Sequence, residues 1–143
     1  MTYAPFDLSG KVCVVTGGNK GIGLGMVEAL AASNADVVIW GRKEADNAAA
    51  VKKADALGTG KIKAWKVDVG EEAEVVKGMK EAEEEFGRID CCIANAGVGR
   101  GAANFHEMTL ETWRYNQRIN SEGAFFTLRE AGKSMVARAK AGD

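Results

Sequence analysis

Histidine and cysteine are scarce: the 143 residues hold one histidine, His106, and three cysteines, Cys13, Cys91 and Cys92. An odd cysteine count without regular spacing gives no disulfide framework, and no cysteine or histidine stands at ligand spacing from His106, so no metal site is expected. Each cysteine lies in an apolar run and reads as a buried packing residue. An excess of one charge is also missing, since 19 basic and 20 acidic side chains leave a formal net charge of -1. With the signs mixed there is no basic stripe to follow a phosphate backbone, so nucleic acid is not an expected partner. No apolar run approaches the roughly 20 residues that cross a bilayer, so no membrane span is expected. Residues 1–8 hold no basic run followed by an apolar stretch, so no secretory signal is expected and a cytoplasmic location is the default.

What is present is a globular composition. The chain is 46% hydrophobic and 27% charged, which suits one packed domain over residues 1–143 and argues against disorder. Residues 11–16 read Lys-Val-Cys-Val-Val-Thr, a β-branched run of the kind buried on both faces of a sheet. Residues 21–33 predict a helix with Ile22, Met26, Ala29 and Leu30 on its inner side, ended by Asn34 in a left-handed conformation. Residues 35–40 predict a second strand, 44–57 a helix closed by Gly58, and 61–67 a third strand whose alternation suits a sheet edge. Residues 71–86 predict a helix with Val75, Val76, Met79, Ala82 and Phe86 inward and Gly87 as its stop. Residues 89–94 predict a fourth strand. Thr109 caps a last helical segment, broken once, that runs to about Ala139, with Gly123 and Gly132 weakening it locally. Trp40, Trp65 and Trp113 read as packing residues. The βαβαβαβα order implies an α/β fold with right-handed crossovers and a parallel sheet.

The first strand runs into Thr16-Gly17-Gly18-Asn19-Lys20-Gly21-Ile22-Gly23 and then a helix. A sharp turn needs residues free to take positive φ, close approach to a pyrophosphate needs positions without Cβ, and a helix N-terminus turns its free N–H groups toward phosphate. A P-loop is excluded because Lys20 is followed by Gly21 instead of Ser or Thr. The spacing is Gly-x-x-x-Gly-x-Gly rather than Gly-x-Gly-x-x-Gly.

This turn resembles that of the short-chain dehydrogenase/reductase family, and other matches follow in the family's order. Asp7-Leu8-Ser9-Gly10-Lys11-Val12 is a typical opening. Asp68, followed by Val69 after the third strand, is similar to the residue that contacts the adenine ring. Asn95-Ala96-Gly97 resembles the Asn-Asn-Ala-Gly motif, with Ala94 in place of the first Asn. Trp113 and Asn120-Ser121-Glu122-Gly123 resemble the helix bearing the catalytic Asn. The resemblance spans essentially the whole chain. It implies a Rossmann-like sheet in the order 3-2-1-4 with helices on both faces, ending here after the fourth strand and its helix. It also implies a nicotinamide cofactor held by Thr16, Gly17, Asn19, Lys20, Gly21, Ile22, Gly23, Arg42, Asp68, Val69, Asn95, Ala96 and Gly97.

The activity implied is hydride transfer between the nicotinamide and an alcohol or ketone, with Asn120 supporting a proton-relay water. The family's chemistry also uses a Ser, a Tyr as general acid/base, and a Lys four residues later that brings the phenol into working range. Tyr3 and Tyr115 are followed at that spacing by Asp7 and Ile119, so the resemblance implies that Ser, Tyr and Lys, two more strands and the substrate loop lie beyond Asp143. A homo-oligomer is implied for the full-length protein. A second reading stays open: a dinucleotide- or partner-binding module without catalysis, its fourth-strand edge and last helix covered by another chain.

Cofactor choice turns on the second strand's end. An acidic residue there would bind a ribose 2′-hydroxyl. The region reads Trp40-Gly41-Arg42-Lys43, in which Gly41 leaves room, Arg42 suits a 2′-phosphate with its planar fork, and Lys20 adds positive charge. NADP(H) is therefore favoured over NAD(H).

Overall fold

A computed structural model describes residues 6–142; Tyr3 and the rest of the first five residues lie outside it. Four parallel strands, β1 (Val12–Thr16), β2 (Asp36–Gly41), β3 (Ile62–Lys66) and β4 (Cys91–Ile93), form one sheet in the order β3-β2-β1-β4. The helices are α1 (Gly21–Ala32), α2 (Glu44–Asp55), α3 (Glu72–Phe86), α4 (Leu110–Gln117) and α5 (Gly123–Lys140). A π-helical turn, Arg118–Glu122, joins α4 to α5. The fold is Rossmann-like. No helix among the described residues is long and apolar enough to cross a membrane.

The central strands are apolar because both faces are covered. All of β1 is buried, and Val37, Val38, Ile39 and Trp40 of β2 have no exposure. One core, under α3 and α5, gathers Val12, Val14, Val38, Trp40, Val75 and Met79. The other, under α1 and α2, gathers Cys13, Val15, Val27, Val37, Ile39 and Ala50. At the β3 edge burial falls away, with Lys63 and Lys66 exposed.

Local signals placed three helix ends. Asn34 takes φ 66° after α1, Gly87 takes φ 78° after α3, and Thr109 Oγ1 accepts the Thr112 N–H at the start of α4. Several expectations need correction. The buried side of α1 is Gly23, Val27 and Ala31, while Ile22 is 76% exposed and Ala29 is exposed. In α3, Gly78 is buried and Val76 is exposed. Both helices carry apolar residues beyond one stripe, so packing contacts fix the inner face. Gly58 does not cap α2; its missing Cβ lets the chain pass against the Ala31 carbonyl. β4 is three residues long and half-buried. Trp113 is 48% exposed and is no core residue. Neither Gly123 nor Gly132 interrupts α5.

Candidate functional site

The strand order reverses between β1 and β4, and an open α/β sheet has a crevice where its strand ends diverge in this way. A cleft of about 650 Å³ opens there, within the range of about 300–1,000 Å³ common for small-molecule sites. Its walls bring together Gly17, Asn19, Lys20, Gly21, Ile22, Gly23, Arg42, Asp68, Val69, Asn95, Ala96 and Gly97, from four separate connections. Thr16 and Asn120 do not line it: Thr16 is buried behind the wall, and Asn120, an exposed residue, holds the segment after Gly97.

The floor is the glycine-rich turn. Gly17 (φ 62°) and Gly21 (φ 54°) occupy the left-handed region, which other residues rarely adopt. A Cβ on Gly23 would lie 2.2 Å from the Gly17 carbonyl oxygen and 2.5 Å from Asn95 Nδ2, so only glycine lets α1 begin against the turn. The N-cap Lys20 is extended and makes no side-chain cap, and the first turn of α1 carries no acidic residue. The leading N–H groups of α1 lack intrahelical acceptors, and the helix end keeps its positive potential.

Thr16 and Asn95 fasten the turn to the loop after β4. Thr16 Oγ1 accepts the Ala96 N–H at 2.9 Å, and Asn95 Nδ2 donates to the Thr16 carbonyl at 3.0 Å. Asn120 lies in the π-helical turn, a distortion that often marks functional positions. Its Oδ1 accepts the Val98 N–H at 2.8 Å and its Nδ2 donates to the Val98 carbonyl at 2.8 Å. The amide thus fixes the segment after Gly97.

The β2 end differs from the sequence reading. Gly41 does not leave open room: a Cβ there would lie 2.1 Å from Asn19 Nδ2 and 2.4 Å from Asn47 Oδ1. Those two atoms hydrogen-bond each other at 2.7 Å, so Asn19 is tied to α2. Asn47, 4% exposed, also donates to the Gly41 and Trp65 carbonyls at 3.0 and 3.1 Å. Carboxylates are present after all: Asp46, in the first turn of α2, lines the cleft, and Asp68 enters it from beyond β3. Asp68 Oδ2 stands 4.0 Å from Arg42 Nη1, and Asp68 Oδ1 accepts the Gly70 N–H at 2.9 Å. Arg42 also donates to the Tyr115 hydroxyl at 3.3 Å. That bond, more than the nearby Asp68 charge, raises the Arg42 pKa above its ordinary value.

Asn47, Tyr115 and Asn116 were missed in the sequence. Only Asn47 offered a signal, as a poor helix former in an alanine-rich helix.

The residues present fit a dinucleotide. A helix end without acidic residues faces a cradle whose closest approach a Cβ would fill, with a cation at the β2 end. The fold and cleft define a Rossmann-type α/β protein with a glycine-rich crossover turn at its switch point. A family model described as short chain dehydrogenase matches residues 11–143, and the chain belongs to that family.

Galactitol 2-dehydrogenase from Agrobacterium fabrum is 36% identical over 135 residues, covering 94% of this chain and 51% of the relative. Versicolorin reductase 1 from Dothistroma septosporum is 37% identical over 132 residues, covering 92% and 49%. The crystal structure of a short-chain type dehydrogenase/reductase from Mycobacterium marinum superposes with a TM-score of 0.88 at 31% identity, covering 93% of this chain and 52% of that one. That of an NAD+-bound xylitol dehydrogenase also reaches 0.88, at 24% identity over 92% and 50%, a likeness of fold alone. The chain spans about half the length of the curated relatives it matches.

Proposed function

We propose that this chain is the cofactor-binding part of an oxidoreductase that transfers hydride between NADP(H), preferred over NAD(H), and an alcohol or carbonyl group of a small molecule. The observation that carries this reading is the Gly17–Gly23 contact at the switch point, where a Cβ would meet the Gly17 carbonyl at 2.2 Å. Such closeness makes a smooth backbone cradle opposite a helix N-terminus, the pairing that suits a pyrophosphate. In this reading Gly17, Asn19, Lys20, Gly21, Ile22 and Gly23 receive the pyrophosphate side. Asp68 and Val69 flank the adenine, and Asn95, Ala96 and Gly97 face the nicotinamide side. Arg42 receives the 2′-phosphate, with Lys20 adding charge. When bound, the nicotinamide supplies the hydride donor or acceptor. Asn120 holds the segment after Gly97 in place and stands where the family's proton relay passes.

Relatives named as a galactitol dehydrogenase and a versicolorin reductase support a small-molecule alcohol or carbonyl substrate. Phe125, Leu128 and Val136, exposed on α5, support a homo-oligomer. Titration of the chain with NADPH and NADH by fluorescence tests the cofactor reading. Tighter NADPH binding is expected, and tighter NADH binding overturns the preference. No ketone reduction is expected from these residues alone, since neither tyrosine is followed by a lysine at the family's spacing. Robust turnover would overturn the need for that pair.

A further inference from the structure

Arg42 follows β2 in a short bend, and its side chain is 53% exposed. An arginine in that setting loses side-chain freedom when it is fixed on a ligand. Here it is already held. Tyr115 of α4, half-buried against the core beneath α3, accepts from Arg42 Nη1 at 3.3 Å. The face of the same ring carries a second guanidinium, that of Arg100, with its carbon 3.7 Å from the ring centroid.

Arg100 is itself held in register. Asn116 Oδ1 accepts the Arg100 N–H at 3.0 Å, and Asn116 Nδ2 donates to the Arg100 carbonyl at 2.7 Å. Asn120, one helical turn on, makes the same pair of bonds to Val98. Two amides spaced i, i+4 thus grip alternate residues of the loop as a neighbouring strand would. The grip sets Arg100 on the ring, while the phenol hydroxyl sets Arg42.

Three like charges gather on one phenol: Arg42 at the hydroxyl, Arg100 on the ring face, and Arg118, paired with Glu71, 5.9 Å from the ring centroid. The carboxylate of Asp68, 4.0 Å from Arg42, is a counter-charge to that arginine. Convergence of this kind costs energy in the free protein and is relieved by an anion. The hydroxyl is neutral, so it orients Arg42 without cancelling its charge.

We propose that Tyr115 is a positioning residue for dinucleotide selectivity: by holding Arg42 through its hydroxyl and Arg100 on its ring, it presents a preset cation to a phosphomonoester on the adenosine 2′-oxygen. This rests on the reading of Arg42 as the 2′-phosphate ligand. Tyr115 acts through the arginines and does not line the cleft.

The test compares the chain with Tyr115→Phe, Arg42→Ala and the double variant, each titrated with NADPH and NADH. Loss of one hydrogen bond to a charged group predicts about a five- to tenfold weaker NADPH affinity for Tyr115→Phe, with NADH within twofold of the parent. Arg42→Ala should remove the discrimination, and adding Tyr115→Phe to it should change nothing more. If the parent prefers NADPH and Tyr115→Phe keeps the same ratio, the role of Tyr115 is overturned while that of Arg42 stands. A parent without preference, or without measurable binding, overturns both.

A readout free of cofactor uses the phenol. Arg42, chiefly through its hydrogen bond, holds the Tyr115 pKa below its ordinary value, with the Arg100 charge adding to the effect. Phenolate absorbance should therefore titrate at higher pH in Arg42→Ala. An unchanged titration would show that the Arg42–Tyr115 contact does not form, and it decides the matter should Tyr115→Phe fail to fold.

Discussion

Asn19 Nδ2 donates to Asn47 Oδ1 at 2.7 Å, and this bond fills the space where a Cβ on Gly41 would project. One buried amide thereby joins the glycine-rich turn, the end of β2 and, through the Trp65 carbonyl, the edge strand β3.

Removing that amide should loosen all three. Asn47→Ala leaves two carbonyls without their donor and Asn19 without its acceptor, which predicts a loss of about 2–3 kcal/mol by the cost of orphaned polar groups. Urea unfolding of the purified chain measures it. Equal stability for Asn47→Ala and the parent would show that water replaces the amide at no cost.

Gly23→Ala should damage both fold and cleft. The new methyl meets backbone oxygen at 2.2 Å, so α1 or the turn must move. Overpacking of this kind costs typically about 1–3 kcal/mol, and dinucleotide affinity should fall at least tenfold. Gly25→Ala is the control: nothing lies within 4 Å of its Cβ, and replacing a helix-interior glycine gains roughly 0.5–1 kcal/mol. If the two variants behave alike in thermal unfolding and NADPH titration, the close approach at Gly23 has no role.

How far these features were legible follows from their range in sequence. β1 and its turn are local: a β-branched run, then glycines whose spacing states the backbone conformation required. The strand order followed from the βα alternation together with the family resemblance. The inner face of α3 was legible at Val75, Met79, Ala82 and Phe86 but not at Val76, and that of α1 was not, because Ile22 and Val76 are as apolar as the residues that are buried. Asn47 closes onto carbonyls of two different strands, and Tyr115 meets Arg42 across 73 positions, so no local pattern announces either. Asp68 was legible as a residue of the cleft. Its approach to Arg42 was not, because it depends on the sheet placing the ends of β2 and β3 side by side.

The cysteines give a chemical check on the core. Burial, with Cys91 adjacent, pushes the thiols of both Cys13 and Cys92 up to about 12. At pH 8 the reactive thiolate is therefore scarce at either position. Mass-spectrometric mapping after iodoacetamide treatment should find both unmodified in the native chain and modified in urea. Rapid native alkylation of Cys13 would contradict its place at the centre of the sheet.

Acid should loosen the sheet at Asp90. Its Oδ2 accepts the Val12 N–H at 2.9 Å, and its carboxylate pairs with Arg88 at 2.7 Å and Arg138 at 3.1 Å, binding the start of β1 and the end of α5 to the approach to β4. Burial alone would raise its pKa. The Arg88 and Val12 hydrogen bonds and the charges of Arg88 and Arg138 outweigh that and hold it at about 2, below the ordinary 3.8. The unfolded chain therefore takes up this proton at higher pH than the folded one. The stabilisation is fully present above pH 4 and is lost as pH falls through about 2. Asp90→Asn should be less stable at pH 7 by about 1.5–3 kcal/mol, the worth of hydrogen bonds to a charged group, and the gap to the parent should narrow between pH 4 and 2. Urea midpoints of the two proteins across that range measure it, and a gap that stays constant down to pH 2 would assign the stabilisation to packing at Asp90 instead of its charge.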